Sequence, residues 1–304
     1  MQLNVKQLLV AGIILLVAAC SGGGDNEPDS VELLPDTDPS FRAASPVAAG
    51  TSLSDAGAMP FEQKLLISSF EENAFIRSSR LLTNVDFSRG RTGTSLEIET
   101  SRFGTFRQSP SSTVSDANVY LLNSESSRGR IVGGAVALDY SMIGSWLLSD
   151  DSNTVGVGAA GHAGLRTPPA DMPGDRVVTY VGDALGFISD RNGAPKTPDL
   201  VAGVVVLNAD FRGGSVTGLV DRLEGYDSDV SSYDLNQIEL SGSISKARFS
   251  GRAEAQPSIS RDAFSTGVSG PLNGQFCGPA AEEVGGVLTM EERGRQMVLS
   301  IGAR

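Results

Sequence analysis

From Asp139 to the C-terminus, short apolar or alternating runs succeed one another, separated by glycine-rich polar punctuation. SMIGSWLLS (141–149), VVTYVGDALGFIS (177–189), LVAGVVVLNADF (200–211), GSVTGLVDRL (214–223) and IELSGSISKARFSGRAEA (238–255) follow at short intervals. VLTMEE (287–292) and RQMVLSIGAR (295–304) complete the series. Runs of this length and alternation read as β-strands. FRGG, DRNG and ERG between them are hairpin-turn material. Successive strands joined by tight turns pair antiparallel with their chain neighbours. A sheet this long removes its exposed edges most simply by closing into an up-and-down barrel. The pattern predicts that barrel over residues 139–304. With polar turns and no recurring aromatic girdle, it is expected to be a soluble barrel.

Residues 61–138 carry a weaker pattern. EQKLLISSFEENAF (62–75) has the spacing of a short helix, whereas LEIETSRFGTFRQS (96–109) and NVYLLNS (118–124) alternate or cluster like strands. The segment holds nine basic and eight acidic residues; Asp139–Arg304 holds thirteen and twenty-one. That change of charge, near SSRGR and IVGGAVALDY, marks the expected domain boundary. Arginines interleaved with phenylalanines could form an anion- or nucleic-acid-binding face. The balancing acids favour a solvated β-surface, and no nucleic-acid partner is expected.

The N-terminus is read as an address. Lys6 precedes the run LLVAGIILLVAA, which is shorter than the ~20 apolar residues of a spanning helix and fits a secretory signal. VAAC (17–20) resembles a bacterial lipobox, which implies a signal peptide over 1–19 and lipidation of Cys20, an anchor stable in a membrane. Ser21 after the cysteine resembles the outer-membrane sorting pattern. Residues 20–60 then form an expected flexible tether: beyond Cys20, seven acids face one arginine with no periodic apolar face.

With Cys20 lipidated, Cys277 has no disulfide partner in the mature chain, and a single histidine, His162, excludes a multi-histidine metal centre. His162 is the one candidate axial ligand for haem, with Tyr120, Met142 or Tyr180 as partners on paper; a lone histidine satisfied within the fold is the commoner use. GVGAAG (156–161) fits GxGxxG, but Pro168 and Pro169 prevent the helix a dinucleotide site needs, so it reads as a small-residue strand or turn. The acidic stretches SDDSN (149–153) and YDSDVSSYD (226–234) lack the order of a calcium loop. GQFCGPAAEEVGG (274–286) places a thiol beside two carboxylates. Those carboxylates raise rather than lower the pKa of Cys277, and Glu282 and Glu283 point to opposite faces of a strand, so neither thiol nor glycosidase chemistry is expected. No GxSxG accompanies His162, and no enzyme is expected.

In order, SMIGSW (141–146), TPPADMPGDRVVTYVGDALG (167–186), LNADF with GGSVTG (207–218), FSGRA (249–253), GQFCGPAAEEVGGVLTM (274–290) and the terminal IGAR resemble the β-barrel domain of the transferrin-binding protein B-like lipoproteins. The resemblance implies an all-β chain with an eight-stranded C-terminal barrel, SMIGSW as its first strand, and a small β-rich handle-like domain over 61–138. It further implies a lipid-anchored outer-membrane lipoprotein that captures a host or envelope protein or an iron or haem carrier, without catalysis. Transferrin receptors of the family have two handle–barrel lobes and this sequence holds one, so no transferrin-binding residue is carried over. A haem binder using His162 and a structural envelope lipoprotein without a small ligand are the alternatives. Ligand-binding residues are expected in Phe61–Leu138 or in the barrel loops, and Cys277 is expected to be a buried, inert thiol.

Overall fold

The computed structural model describes residues 58–60, 62–69, 75–77, 82–90, 93–100, 104–108, 119–126, 129–149, 155–190, 198–226, 231–260, 264–292 and 294–304. Cys20, the tether, the turn residues 191–193, and residues 150–153 and 227–230 of the two acidic stretches lie outside them. The strands are β1 (Ala58–Pro60), β2 (Glu62–Ser69), β3 (Phe75–Arg77), β4 (Leu82–Gly90), β5 (Gly93–Thr100), β6 (Gly104–Gln108), β7 (Val119–Ser126), β8 (Gly129–Ala137), β9 (Ser141–Ser149) and β10 (Val155–Gly164). The remainder are β11 (Val177–Asp190), β12 (Asp199–Asp210), β13 (Ser215–Tyr226), β14 (Ser232–Asp234), β15 (Ile238–Ser245), β16 (Arg248–Ala255), β17 (Ser269–Cys277), β18 (Glu283–Glu292) and β19 (Arg295–Ala303).

They form three sheets. A four-stranded sheet has the order β1-β4-β5-β6, and a six-stranded sheet the order β3-β2-β10-β9-β8-β7. The third runs β12-β11-β19-β18-β17-β16-β15-β13, and β12 also pairs with β13, which closes it into an eight-stranded antiparallel up-and-down barrel. β14 is a short addition beside β13. The all-β class and the closed barrel are as the sequence predicts, and GVGAAG lies in a strand, β10.

Two expectations give way. Glu62–Ser69 is a strand, not the start of a helix: it forms ladders with β10 on one side and β3 on the other, and that pairing overrides the local helical spacing. SMIGSW does not open the barrel. β9 pairs with β8 and β10 in the six-stranded sheet, and the barrel strands begin at Val177. The segment between, TPPADMPGD, contains Pro168, Pro169 and Pro173, which have no N–H to give a ladder, so the chain leaves one sheet before starting the next.

Inside the barrel, Tyr180, Val205, Leu207, Val220, Leu240, Phe249, Leu272, Phe276, Leu288, Met297, Leu299 and Ile301 belong to one continuous core. Phe276 lies at the centre of an aromatic group, with ring centroids 5.0 Å from Phe211, 5.5 Å from Phe249 and 6.1 Å from Tyr180. A second core forms outside, where the six-stranded sheet leans on the barrel wall: Val136, Ile143 and Ala160 meet Leu185, Phe187, Leu200, Ala202 and Val298. Burial along the strands records the two surroundings. β15, with one face in water, alternates, whereas all but the ends of β18 and β19 are buried continuously because core covers both their faces. On the uncovered wall the outward positions of β15 and β16 carry Glu239, Ser241, Ser250, Arg252 and Glu254, not an apolar band.

Candidate functional site

The barrel has two unlike ends. At one, connections are tight: Phe211–Gly214, the pair Lys246–Ala247, and Gly278–Glu282, where Gly278 takes φ +91° as a glycine can. At the other, long connections gather between β11 and β12, between β13 and β15, and between β16 and β17. Long loops held on a rigid barrel are the usual carriers of binding. The described parts of these loops are pinned from below. Asn236, fully buried, donates through Nδ2 to the carbonyls of Gln256 (2.6 Å) and Phe264 (3.0 Å) and accepts from the Phe264 amide (2.6 Å). That holds Phe264 as a plug in the barrel end, and the Arg295 guanidinium lies 6.0 Å from its ring centroid. The Tyr233 hydroxyl donates to Asp199 (2.8 Å), and the Tyr226 hydroxyl to Glu224 (2.6 Å). Beyond the pinned bases, Ile259 stands fully exposed.

At the tight end, GQFCGPAAEEVGG forms the β17–β18 hairpin. Glu283, at the start of β18, is buried and reaches across to the β8–β9 turn. Its carboxylate accepts from the Asp139 amide (2.7 Å), the Tyr140 amide (3.0 Å) and the Ser141 hydroxyl (2.8 Å). Burial pushes the Glu283 pKa up, the three donors pull it back, and the net shift is upward. The connector from the sheet lies alongside: the Thr167 amide donates to Phe276 O (3.0 Å), its hydroxyl to Gly278 O (2.7 Å), and the Gly278 amide to Leu165 O (2.9 Å). From inside the barrel the Tyr180 hydroxyl donates to Ala281 O (2.6 Å), and burial holds that phenol's pKa well above its ordinary value. The hairpin thus joins sheet, connector and barrel interior. The sequence reading weighed Glu283 only for chemistry, beside Cys277 and Glu282, and missed this structural role; its one signal was a charge at the mouth of an otherwise apolar strand.

Cys277 is a buried thiol, as expected, packed so that a Cβ on Gly164 would stand 2.6 Å from its sulfur. Glu282 is nearer the surface and accepts from the Ala280 amide (2.8 Å), so the two carboxylates do not converge on one site. His162 is fully buried on β10, where its ring lies over the backbone of Gly285 on β18. A Cβ there would be 3.1 Å from the imidazole Cδ2. Its paper partners are elsewhere. Tyr180 lies inside the barrel. Met142 neighbours Ile143, which pairs with His162, and so points to the opposite face of the sheet. Tyr120 lies on β7, two strands from β9. Among the described residues no group of three or more His, Cys, Asp or Glu gathers as a metal site, and no helix is long and apolar enough to cross a membrane.

The family of C-lobe and N-lobe beta barrels of Tf-binding protein B matches residues 172–304. Comparison with curated protein sequences returns no match. Among solved structures, the isotype 1 transferrin binding protein B from serogroup B Neisseria meningitidis is similar at 16% identity and a TM-score of 0.47, over 80% of this chain and 43% of that one. A double mutant of transferrin binding protein B from Haemophilus parasuis Hp5 is similar at 14% identity and a TM-score of 0.45, over 81% and 44%. The N-lobe domain of lactoferrin binding protein B of Moraxella bovis aligns at 13% identity and a TM-score of 0.39, over 80% and 98%. This chain thus spans less than half of the first two. The family match begins at Met172, five residues before β11, and ends with the last residue after β19, so it encloses the eight barrel strands. Over residues 172–304 the chain is thus similar to the β-barrel domains of transferrin-binding protein B, and those residues form a closed eight-stranded barrel.

Proposed function

We propose that this chain is a lipid-anchored outer-membrane lipoprotein whose work is non-catalytic capture of a partner protein, with an iron or haem carrier as the leading class. The observation that carries this reading is the filled barrel. Tyr180, Phe249, Phe276 and their aliphatic neighbours occupy the interior that some eight-stranded barrels leave for a small ligand. Binding capacity is thereby left to the outer surface, where macromolecules are met. The pinned long loops at one barrel end, with exposed Ile259, are the part of the barrel we assign to capture, together with residues 61–138. Names of the similar proteins refer to transferrin and lactoferrin, and those two are the first partners to try.

Two measurements test the reading. Labelled palmitate should enter the wild-type chain and not Cys20→Ala, which should be released in soluble form; a Cys20→Ala chain that stays labelled refutes the anchor. The full chain, immobilised, should retain a specific protein from host serum or envelope extract, and Ile259→Asp should weaken that retention. A folded chain that retains none refutes capture and leaves the structural envelope role.

Haem ligation through His162 is the competing reading. Since the imidazole is buried between sheet and barrel, it requires the sheet to lift away. A Soret shift with haemin, lost in His162→Ala, would support it, and no shift rejects it.

A further inference from the structure

The barrel wall carries a feature unrelated to its loops. Along β11 the outward positions are Val177, Thr179, Val181 and Asp183, ahead of the stretch covered by the six-stranded sheet. Val177 and Val181 are 65% and 53% exposed. Register puts Val181 beside Val206, Val206 beside Leu219, and Asp183 beside Val204. Those three neighbours are half-buried, so an aliphatic band crosses three adjacent strands of the wall. On the strands that follow, the same outward rows turn to serine, glutamate and arginine.

Asp183 lies within this band and is largely withdrawn from water, which pushes its pKa up, with burial the only cause. Nearby carboxylates are engaged: Asp210 accepts from the Gly213 amide (2.8 Å) and Asp221 from the Gln237 side chain (2.7 Å). No described residue donates to Asp183 or pairs with it. A carboxylate half-removed from water without a donor is unfavourable, and a cation brought against it would offset that loss. The barrel is closed, so none of these strands has a free edge for an added strand to pair with. Whatever covers the band must do so by side chains.

We propose that this part of the wall is a docking surface for a basic–aliphatic protein segment in extended form. Its aliphatic side chains cover Val177, Val181, Val206 and Leu219, and a lysine or arginine reaches Asp183. Val181 and Asp183 are two residues apart on one strand, roughly 7 Å, which is the repeat of same-side positions on an extended segment. Asp210 and Asp221 flank the band, and the chain's formal net charge of −12 draws a basic partner towards it. This surface is separate from the loop end assigned above, and its failure leaves that assignment as it stands.

The probe is a fluorescent synthetic peptide of alternating valine and arginine, titrated with the full chain at physiological salt and read by anisotropy. Companion peptides have glutamate for arginine or serine for valine. Saturable binding is expected for the first peptide only. It should weaken about tenfold or more in Asp183→Asn and in Val181→Ser, each checked for native circular dichroism, and stay unchanged in Glu254→Gln on the far wall. Equal loss in Glu254→Gln would assign the binding to overall charge and overturn the proposal. So would undiminished binding by Asp183→Asn, or no saturable binding. A concentration-dependent dimer in sedimentation equilibrium, dissolved by Val181→Ser, would overturn it in favour of a second copy of the chain.

Discussion

Removing the Glu283 carboxylate should loosen the sheet from the barrel. In Glu283→Ala the Ser141 hydroxyl, fully buried, loses its acceptor, which costs about 1–2 kcal/mol. The Asp139 and Tyr140 amides lie in a part-buried turn that water can reach, so each loses only about 0.5–1 kcal/mol. The vacated side-chain volume adds about 1 kcal/mol, and release of a buried charge returns about as much. The net expectation is a loss of about 2–4 kcal/mol. Trp146, the sole tryptophan, is buried on β9, the strand that Ser141 opens, so its fluorescence reports the sheet, while far-ultraviolet circular dichroism reports all strands. In urea, the Trp146 transition of Glu283→Ala should move to lower denaturant at least as far as the dichroism transition. Glu283→Gln tests the sign with pH. A carboxyl whose pKa is raised in the folded state stabilises below its unfolded value, 4.5, and that contribution fades as pH rises through the raised value. Wild-type stability should therefore carry a downward component just above pH 4.5 that Glu283→Gln lacks. A change of less than about 0.5 kcal/mol in Glu283→Ala, with both transitions unmoved, would refute the clamp.

Three further outcomes follow from the packing. Gly302→Ala places a Cβ 2.6 Å from Ile143 Cγ2 across the seam, so thermal unfolding should show a loss of about 1–3 kcal/mol. Asn236→Ala orphans two carbonyls and an amide, which should lower stability by about 2 kcal/mol and make the 256–264 loop the first site of limited proteolysis. In a Cys20→Ala background the remaining thiol, Cys277, should react with a disulfide reagent only on unfolding, because it is buried against Gly164 and Gln275.

The barrel was legible because one face of most of its strands meets water or the other meets core in regular alternation; IELSGSIS declares this directly. What strand patterns do not contain is a third layer. EVGGVLTMEE and RQMVLSIGA read as strands, yet nothing local says that their outward faces are sealed by a second sheet. The same gap assigned SMIGSW to the barrel: it is a strand of the right character, its hairpins with IVGGAVA and GVGAAG would suit either sheet, and only the distant pairing of GVGAAG with β2 distinguishes them. Leu65, Leu66 and Ile67 mimicked a helical face for the same reason, since the longer of their two ladders is made with β10, some ninety residues downstream. The thiol of Cys277 was read correctly as buried from its glycine-framed strand. Glu283 was not, because its donors sit more than 140 residues earlier in the chain.

The double covering of β18 and β19 also sets an order of events. The six-stranded sheet has those strands as part of its floor, and the Ser300 hydroxyl donates to the Gly144 carbonyl across 156 residues. Contacts this distant in sequence make folding slow, since long loops close before anything rewards them. Until Glu283–Ala303 docks, the sheet's inner face has only β11 and β12 to rest on. β18 and β19 shut the barrel and complete the floor beneath the sheet, so a chain truncated before Glu283 opens the barrel core and strips Val298 from the second one. One hairpin, β18–β19, thus serves both cores, and leaving it undocked bares the barrel interior and part of the sheet at once, the condition that invites aggregation and proteolysis.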